Sequence, residues 1–342
     1  MPGKQIWVGG FPGFWGGADT ELDHLIDLWR AHGVQVNLVP MYHADPAMVR
    51  SAVRRGCLVH EYTEGIFAGR IVVSFCNQNF LAALPEIVRM GRPRAVLWFN
   101  CMTRLFDGDR HAHAQGWLDY FGFVSEYQER QLGPQLAAIG PYATFGYRPY
   151  FNVDRVRWQY RQWDGSYRIG RISRDGPAKF ATDTWRIFDR VLVPHGLHKT
   201  VYVLGYGPRA RKAIGFPPYG LDVRTWECNE TPVENFYRNV DTMIHKTGGS
   251  RESYCRVVVE AYAHGVVPIV EDDFAFAELV VHGETGFRTC DSDEMSYLAS
   301  ILAHQPRLHR DLAGNGRRHL ETALANADES WRAWETLFGR LD

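Results

Sequence analysis

The sequence predicts an α/β protein of two doubly wound parallel-sheet domains facing each other across a cleft, and three observations carry that prediction. The first half alternates short β-branched or aromatic runs with amphipathic stretches, the pattern of a parallel sheet buried under helices. A second series of the same kind follows an aromatic-rich break. The 342 residues also exceed the size at which one hydrophobic core usually stops growing.

In chain order, QIWVGG, VQVNLVP, RIVVSF and RAVLWF read as strands. DTELDHLIDLWRAHG sets Leu22, Leu25, Ile26, Leu28 and Trp29 at helical spacing and stops on Gly33. The pattern breaks at YATFGYRPYFNVDRVRWQYRQWDG, whose aromatics and turn residues carry no period and mark a domain junction. Beyond it SYRIGRIS, TVYVLGYG and VVPIVED read as strands, Val233 to Asn239 as a helix, and further helical stretches run to the end. The expected domains are 1–160 and 161–325, with a last helix over 326–342 returning to the first. Open parallel sheets bind ligands beyond the carboxyl ends of their strands, so a cleft between two of them suits one shared site.

Composition excludes several classes. A 45% hydrophobic, 23% charged chain with a formal charge of −1 has no whole-molecule attraction to nucleic acid or anionic lipid. Its basic residues are mostly arginine, which suits phosphate recognition but is explained equally by codon usage. Cys57, Cys76, Cys101, Cys228, Cys255 and Cys290 are scattered without a Cys-x-x-Cys pair, which argues against a disulfide scaffold or structural zinc and fits a reducing cytoplasm. Neither a basic-then-apolar leader nor a run of about 18 apolar residues occurs, so secretion and membrane spanning are not expected.

SRESYCRVVVEAYAHG places Glu252 and Glu260 eight positions apart. Spacing alone decides nothing, since Glu321 and Glu329 share it. The neighbourhood is more informative. VVVEAYAHG has helix length, and TGGSRES before it is loop-like, with Ser250 and Ser253 as candidate N-caps, so Glu252 is expected at a helix mouth. On one continuous helix the carboxylates would stand about 12 Å apart and within about 80° of each other, close to the separation of sugar and ribose in a nucleotide sugar. The helix N-terminus between them would offer amides and a positive dipole to a pyrophosphate. Equally, Glu252 suits a first helical turn and Glu260 a solvated face.

GSRESYCRVVVEAYAHGVVPIVEDDFAFAELVVHGETGF combines the Glu pair, an Ala-rich helix end, a Gly-x-x-x-Ile-Val strand, Glu278 and a closing His-Gly-x-Thr-Gly-Phe. In that fixed order it resembles the donor-site signature of retaining GT-B glycosyltransferases, the large group 1 family that includes the phosphatidylinositol mannosyltransferases. The resemblance implies two Rossmann-like domains. It also implies that Glu252 contacts the donor sugar, Glu260 the ribose diol, and the amides of Ser253, Tyr254 and Cys255 the sugar and phosphate. Cys255 stands where the family usually has Gly, and Phe274, Ala275 and Phe276 replace its usual Gly-Gly turn. RIGRISRDGPAKF resembles the segment whose Arg and Lys neutralise the diphosphate, here Arg171 and Lys179. Cations fixed there would stabilise the charge that a departing diphosphate gains.

In the first domain, GGFPGFWGGADTELDHL lacks the Gly-x-Gly-x-x-Gly order of a dinucleotide site. By resemblance its Gly16 and Gly17 would reach towards the diphosphate. Asn100 matches a position where the family often has His; an amide can bond a hydroxyl but cannot act as a general base near neutral pH. Asp107, Asp109, His111 and His113 alternate as metal ligands could, while Gly108 and the polarity there suit an exposed loop equally well. His60 and Glu61 could face an acceptor or sit at an edge. Trp98, Phe99, Phe106 and Trp117 could stack on an acceptor or fill the core. Arg104, Arg110, Arg148, Arg155, Arg157 and Arg161 could rim the cleft and admit a polyanion.

The reading is thus a cytoplasmic, metal-independent hexosyltransferase that needs no cofactor and uses a UDP-sugar, or less expectedly a GDP-sugar, with retention implied by the family. The acceptor is open among saccharide, lipid-linked carrier, small metabolite and a hydroxymethylated base in DNA, as is the oligomeric state. A nucleotide-sugar epimerase or hydrolase, or a non-catalytic nucleotide-sugar binder, remains an alternative.

Overall fold

The structure is a computed structural model and describes residues 4–12 and 16–341. The chain clusters into two compact units, Met1–Asn152 with Leu324–Asp342, and Val153–Ala323. The aromatic-rich stretch 142–165 contains the division.

The first unit holds β1 (Gln5–Gly9), β2 (Gln35–Val39), β3 (Leu58–Val59), β4 (Ile71–Phe75), β5 (Ala95–Phe99) and β6 (Tyr120–Phe121), all parallel, in the order β3-β2-β1-β4-β5-β6. Its central strands are covered on both faces, which is why Ile6, Val8, Val36, Leu38, Val72 and Val73 read as unbroken β-branched or aliphatic runs rather than alternating ones. Helix Gly17–Ala31 forms where the apolar spacing predicts it, and Gly33 just past its end takes a positive φ of 73° that a Cβ would disfavour. Helix Ala327–Leu341 belongs to this unit and buries Trp334 edge-on against Trp29, with ring centroids 4.9 Å apart. Trp98 and Phe99 are fully buried core, whereas Phe106 and Trp117 are half-buried.

The second unit holds β7 (Ser166–Ile172), β8 (His198–Leu204), β9 (Asp222–Trp226), β10 (Thr242–His245), β11 (Val267–Glu271) and β12 (Phe287–Thr289), again all parallel, in the order β12-β11-β10-β7-β8-β9. Counted from the first strand of each unit, both sheets read 3-2-1-4-5-6, the doubly wound order. The order reverses between β7 and β10, and side chains at the carboxyl ends of those two strands and of β11 form the site described below.

The exposed-loop reading of the Asp107–His113 stretch is corrected. Asp107–Ala114 is a helix, opened by the Asp109 carboxylate accepting from the N–H of Phe106 at 2.7 Å. Asp109 is fully buried and His113 nearly so, its ring turned to the carbonyl of Leu136, while His111 is exposed. Burial pushes the Asp109 carboxyl above its ordinary range.

Candidate functional site

Arg171 lies on β7 with 1% of its surface exposed, and both terminal nitrogens of its guanidinium have partners while Nε is buried without one. Nη1 donates to the Ile172 carbonyl and to His245 Nδ1, each at 2.6 Å, and Nη2 donates to the carbonyls of Lys179 and, at 3.4 Å, Lys246. Arg has no acceptor, so His245 Nδ1 must be the acceptor and the imidazole proton sits on Nε2, 3.8 Å from Cys255 Sγ. Burial, reinforced by Arg171, holds His245 well below its ordinary pKa, and burial holds the Cys255 thiol well above its own. The site floor is therefore a neutral imidazole and a neutral thiol around one cation, whose own pKa burial lowers to about 10.

Two loops lie over that floor. The single turn Pro177–Lys179 follows β7, and residues 247–255 follow β10. Gly248 and Ser250 both donate their N–H to the Ala178 carbonyl at 3.0 Å, and a Cβ at Gly248 would stand 2.1 Å from the Phe180 carbonyl oxygen, so only glycine fits there. That contact brings Lys179 Nζ to Glu252 Oε1 at 2.7 Å, with the two side chains 23% and 13% exposed, and Ser250 Oγ to the same oxygen at 3.3 Å. Glu271, at the end of β11, accepts from the N–H of Thr247 at 3.1 Å and steadies the loop from its other side. Burial raises the Glu271 carboxyl.

Helix Arg256–Ala263 begins at the end of this loop with Cys255 as N-cap, and neither Ser250 nor Ser253 caps it. Glu252 lies four residues before the helix and not in its first turn, so the helical estimate of its distance from Glu260 does not apply. The chain before it is tied instead to the turn after β7, through the Gly248 and Ser250 N–H groups on the Ala178 carbonyl. Glu260 sits in the helix proper, half-buried, and receives the Tyr237 hydroxyl at 3.1 Å. Burial lifts it to about 7 against the pull of Arg256.

The fold thus gathers Arg171, Lys179, Glu252, Ser253, Tyr254, Cys255 and Glu260 in the second unit, whereas Gly16, Gly17 and Asn100 belong to the first. Gly16 is the extended N-cap residue of the first helix and its carbonyl accepts from Thr20; Gly17 is exposed, and residues 13–15 of that loop lie outside the described residues. Asn100 is 3% exposed, its amide nitrogen donating to Asp109 and its oxygen accepting from the N–H of Met102 at 2.8 Å. Both ends of the amide bond within the turn after β5. Arg171, expected to contact a phosphate, is buried and donates to the Lys179 and Lys246 carbonyls. His60 stacks on Trp7 and its Nε2 lies 3.0 Å from Asn37 Oδ1, Glu61 is exposed, and Arg148 and Arg161 are paired with Glu329 and Asp241.

His245, Lys246 and Glu271 escaped sequence reasoning. TMIH is a strand of four residues, too short and too polar at its end to stand out, and Lys246 pairs with Asp183 at 3.2 Å and Ser292 at 2.6 Å. The glycine pair in KTGGS was the available signal that a close backbone approach follows.

Residues 224–319 match the family model described as Glycosyl transferases group 1. No curated protein matches the chain. Among solved structures, Anabaena HepE in complex with UDP and glucose is similar over 98% of this chain and 100% of its own, with TM-score 0.71 and 15% identity. Sucrose-phosphate synthase from Thermosynechococcus elongatus gives TM-score 0.71 at 12% identity, covering 98% of this chain and 100% of its own. S. aureus TarM in complex with UDP and other ligands gives 0.74 at 8%, covering 98% and 99%. The two parallel sheets have the GT-B fold of these structures, and within that fold residues 224–319 match the glycosyl transferases group 1 model.

Proposed function

We propose that the protein transfers a hexose from a nucleoside diphosphate sugar to an acceptor hydroxyl with retention at the anomeric carbon. The observation that carries this reading is the Lys179–Glu252 pair, held by two interlocked loops at the carboxyl ends of β7 and β10, directly before a helix N-terminus. A cation, a carboxylate and helix amides at one sheet end match the three demands of such a donor: a diphosphate, sugar hydroxyls and a leaving group that gains charge. The UDP complexes of HepE and TarM support UDP as the nucleotide.

In this reading Lys179 gives one N–H to Glu252 and turns the other two to the diphosphate. Glu252 accepts from the sugar hydroxyls and fixes the ring. Glu260 accepts from the ribose diol, and the amides of Ser253, Tyr254 and Cys255 line the phosphates. The bond from the anomeric carbon to the diphosphate breaks with its electron pair leaving on phosphate. The acceptor oxygen bonds to the same face of that carbon and its proton passes to the departing phosphate. Arg171 acts from beneath, by holding the Lys179 carbonyl. Lys179 and the helix amides meet the developing charge, so no metal is required. Gly16 and Gly17 remain proposed phosphate neighbours, and the acceptor is a saccharide, lipid-linked carrier, small metabolite or modified DNA base.

Calorimetric titration with UDP, GDP and UDP-glucose, followed by product analysis with and without candidate acceptors, tests this. UDP binding that Glu260→Ala abolishes, with sugar passed to the acceptor and UDP released only when an acceptor is present, supports the transferase. Donor conversion without acceptor turns the reading to an epimerase or hydrolase, and binding without any turnover to a non-catalytic binder.

A further inference from the structure

The stretch GFPPYG, residues 215–220, leaves helix Pro208–Ile214 for β9 and turns two aromatic side chains into solvent, Phe216 82% exposed and Tyr219 fully so. Apolar residues scattered singly over a surface need no explanation, but two large rings within four residues make a patch. The loop is firmly rooted. The Gly215 carbonyl accepts from Trp185 Nε1 at 3.0 Å and from the Tyr206 hydroxyl at 2.5 Å, and the Leu221 N–H returns to the Pro218 carbonyl at 3.3 Å. Gly215 and Gly220 take positive φ values of 66° and 90°, and Pro217 and Pro218 fix the backbone between them. Neither proline carries an N–H, so the tip has fewer polar groups to strip of water on entering an apolar phase.

Charge selects the partner. From Gly207 to Trp226 the chain carries Arg209, Arg211, Lys212 and Arg224 against Asp222 alone, in a molecule whose net charge is −1. Arg211 pairs with Glu227 and Asp222 with His198, and the next carboxylate, Glu230, accepts from the Glu227 N–H at 2.7 Å. Arg209, Lys212 and Arg224 are exposed and form no ion pair among the described residues. Lys212 stands only four positions before Phe216. Bare rings beside unneutralised cations complement a surface that is negative outside and apolar beneath, which is the layering of an anionic bilayer.

We propose that this loop docks the second unit on an anionic lipid bilayer, with Phe216 and Tyr219 entering the headgroup layer and Arg209 and Lys212 meeting lipid phosphate. A contact made by two rings and a few cations is peripheral, reversible and weakened by salt. It stands apart from the donor-site reading, since none of these side chains belongs to that site.

The test is co-sedimentation of the full chain with vesicles of phosphatidylcholine alone and of phosphatidylcholine mixed with phosphatidylglycerol. Wild type should bind the mixed vesicles, less as salt is raised, and the neutral ones far less. The double variant Phe216→Ser with Tyr219→Ser should lose affinity about tenfold or more. Lys212→Glu should also lose about tenfold or more, each unit of charge near such a surface being worth about fivefold. Tyr42→Ser, which removes an exposed ring from the first unit, should bind as wild type does. All four side chains are exposed, so melting temperatures and UDP affinity should not move. No binding to mixed vesicles, equal binding to both kinds, or affinity unchanged in both loop variants overturns the proposal. A loss as large with Tyr42→Ser overturns it too, by making the binding general stickiness. Sedimentation equilibrium without lipid covers the other occupant: a dimer that the double serine variant dissolves makes the rings a contact between copies and removes the bilayer.

Discussion

The two sheets share one strand order and carry opposite chemistry at their carboxyl ends. Beyond β7, β10 and β11 stand Arg171, Lys179, Glu252 and Glu271, each desolvated or ion-paired. Near the ends of β4 and β5 stand Ser74, Asn77 and Asn100, neutral groups whose bonds go to Gly9, Gly10, Phe80, Asp109 and Met102. Topology therefore offers each unit the same place for a ligand, and the residue types decide what is done with it. In the second unit charge is concentrated against a helix mouth. In the first, hydrogen bonds close the loops upon themselves.

The largest effect should come from Glu252→Ala. Removing a carboxylate that orients the reacting sugar should lower kcat about 10² to 10³-fold, with the melting temperature little changed, because the backbone bond from Ala275 remains. Steady-state kinetics with melting curves check it. A rate near that of wild type would break the contrast between the two sheets at its centre.

Next is Arg171→Ala, which separates support from contact. The guanidinium satisfies the carbonyls of Ile172, Lys179 and Lys246 and the imidazole of His245, so its loss should cost about 3 kcal/mol by urea denaturation. UDP affinity should then fall only as far as the Lys179 loop loosens. Lost affinity with wild-type stability would mean that Arg171 touches phosphate after all.

That division between contact and support is where sequence reading reached its limit. Both doubly wound sheets were legible, because buried parallel strands such as QIWVG and AVLWF are continuous apolar runs. The polar segment KTGGSRES was legible as a loop for the same reason, in reverse. That Arg171 faces inward was not, since a residue type states its charge and not its exposure. Nor was the tie that precedes the helix at Arg256, because it joins Gly248 to Ala178, seventy residues away in sequence. Asn100 shows the same limit: its partner Asp109 looked like a loop ligand until the helix Asp107–Ala114 buried it.

Glu260 gives a smaller, pH-dependent effect. Its folded pKa of about 7 lies above the ordinary 4.5, so as pH rises from about 4.5 to about 7 the unfolded chain ionises first and this group's contribution to stability is lost. A ligand that needs the carboxylate reverses the preference. UDP affinity should rise with pH up to about 7, by at most about tenfold per unit, with proton release on binding. Calorimetry in buffers of different ionisation enthalpy between pH 6 and 8 measures both, and Glu260→Gln should flatten the profile. A flat wild-type profile would remove Glu260 from the ribose.

The smallest effect tests the other side of the comparison. Asn100→Ala removes a donor to a fully buried carboxylate and an acceptor for the Met102 N–H. Asp109 keeps the Phe106 N–H, so the cost should be about 1 to 2 kcal/mol rather than the larger penalty of a wholly unpaired buried carboxylate. UDP affinity should stay within twofold, since every partner of Asn100 lies inside the first unit. Asn100→Asp sharpens the point: a second carboxyl against Asp109 cannot ionise beside it, so that variant should be destabilised more as pH rises above the ordinary carboxylate range, again without touching the nucleotide. If either variant instead lowers kcat while its stability holds, the first sheet contributes a reacting group, and the contrast between a charged and a self-satisfied sheet end fails at β5.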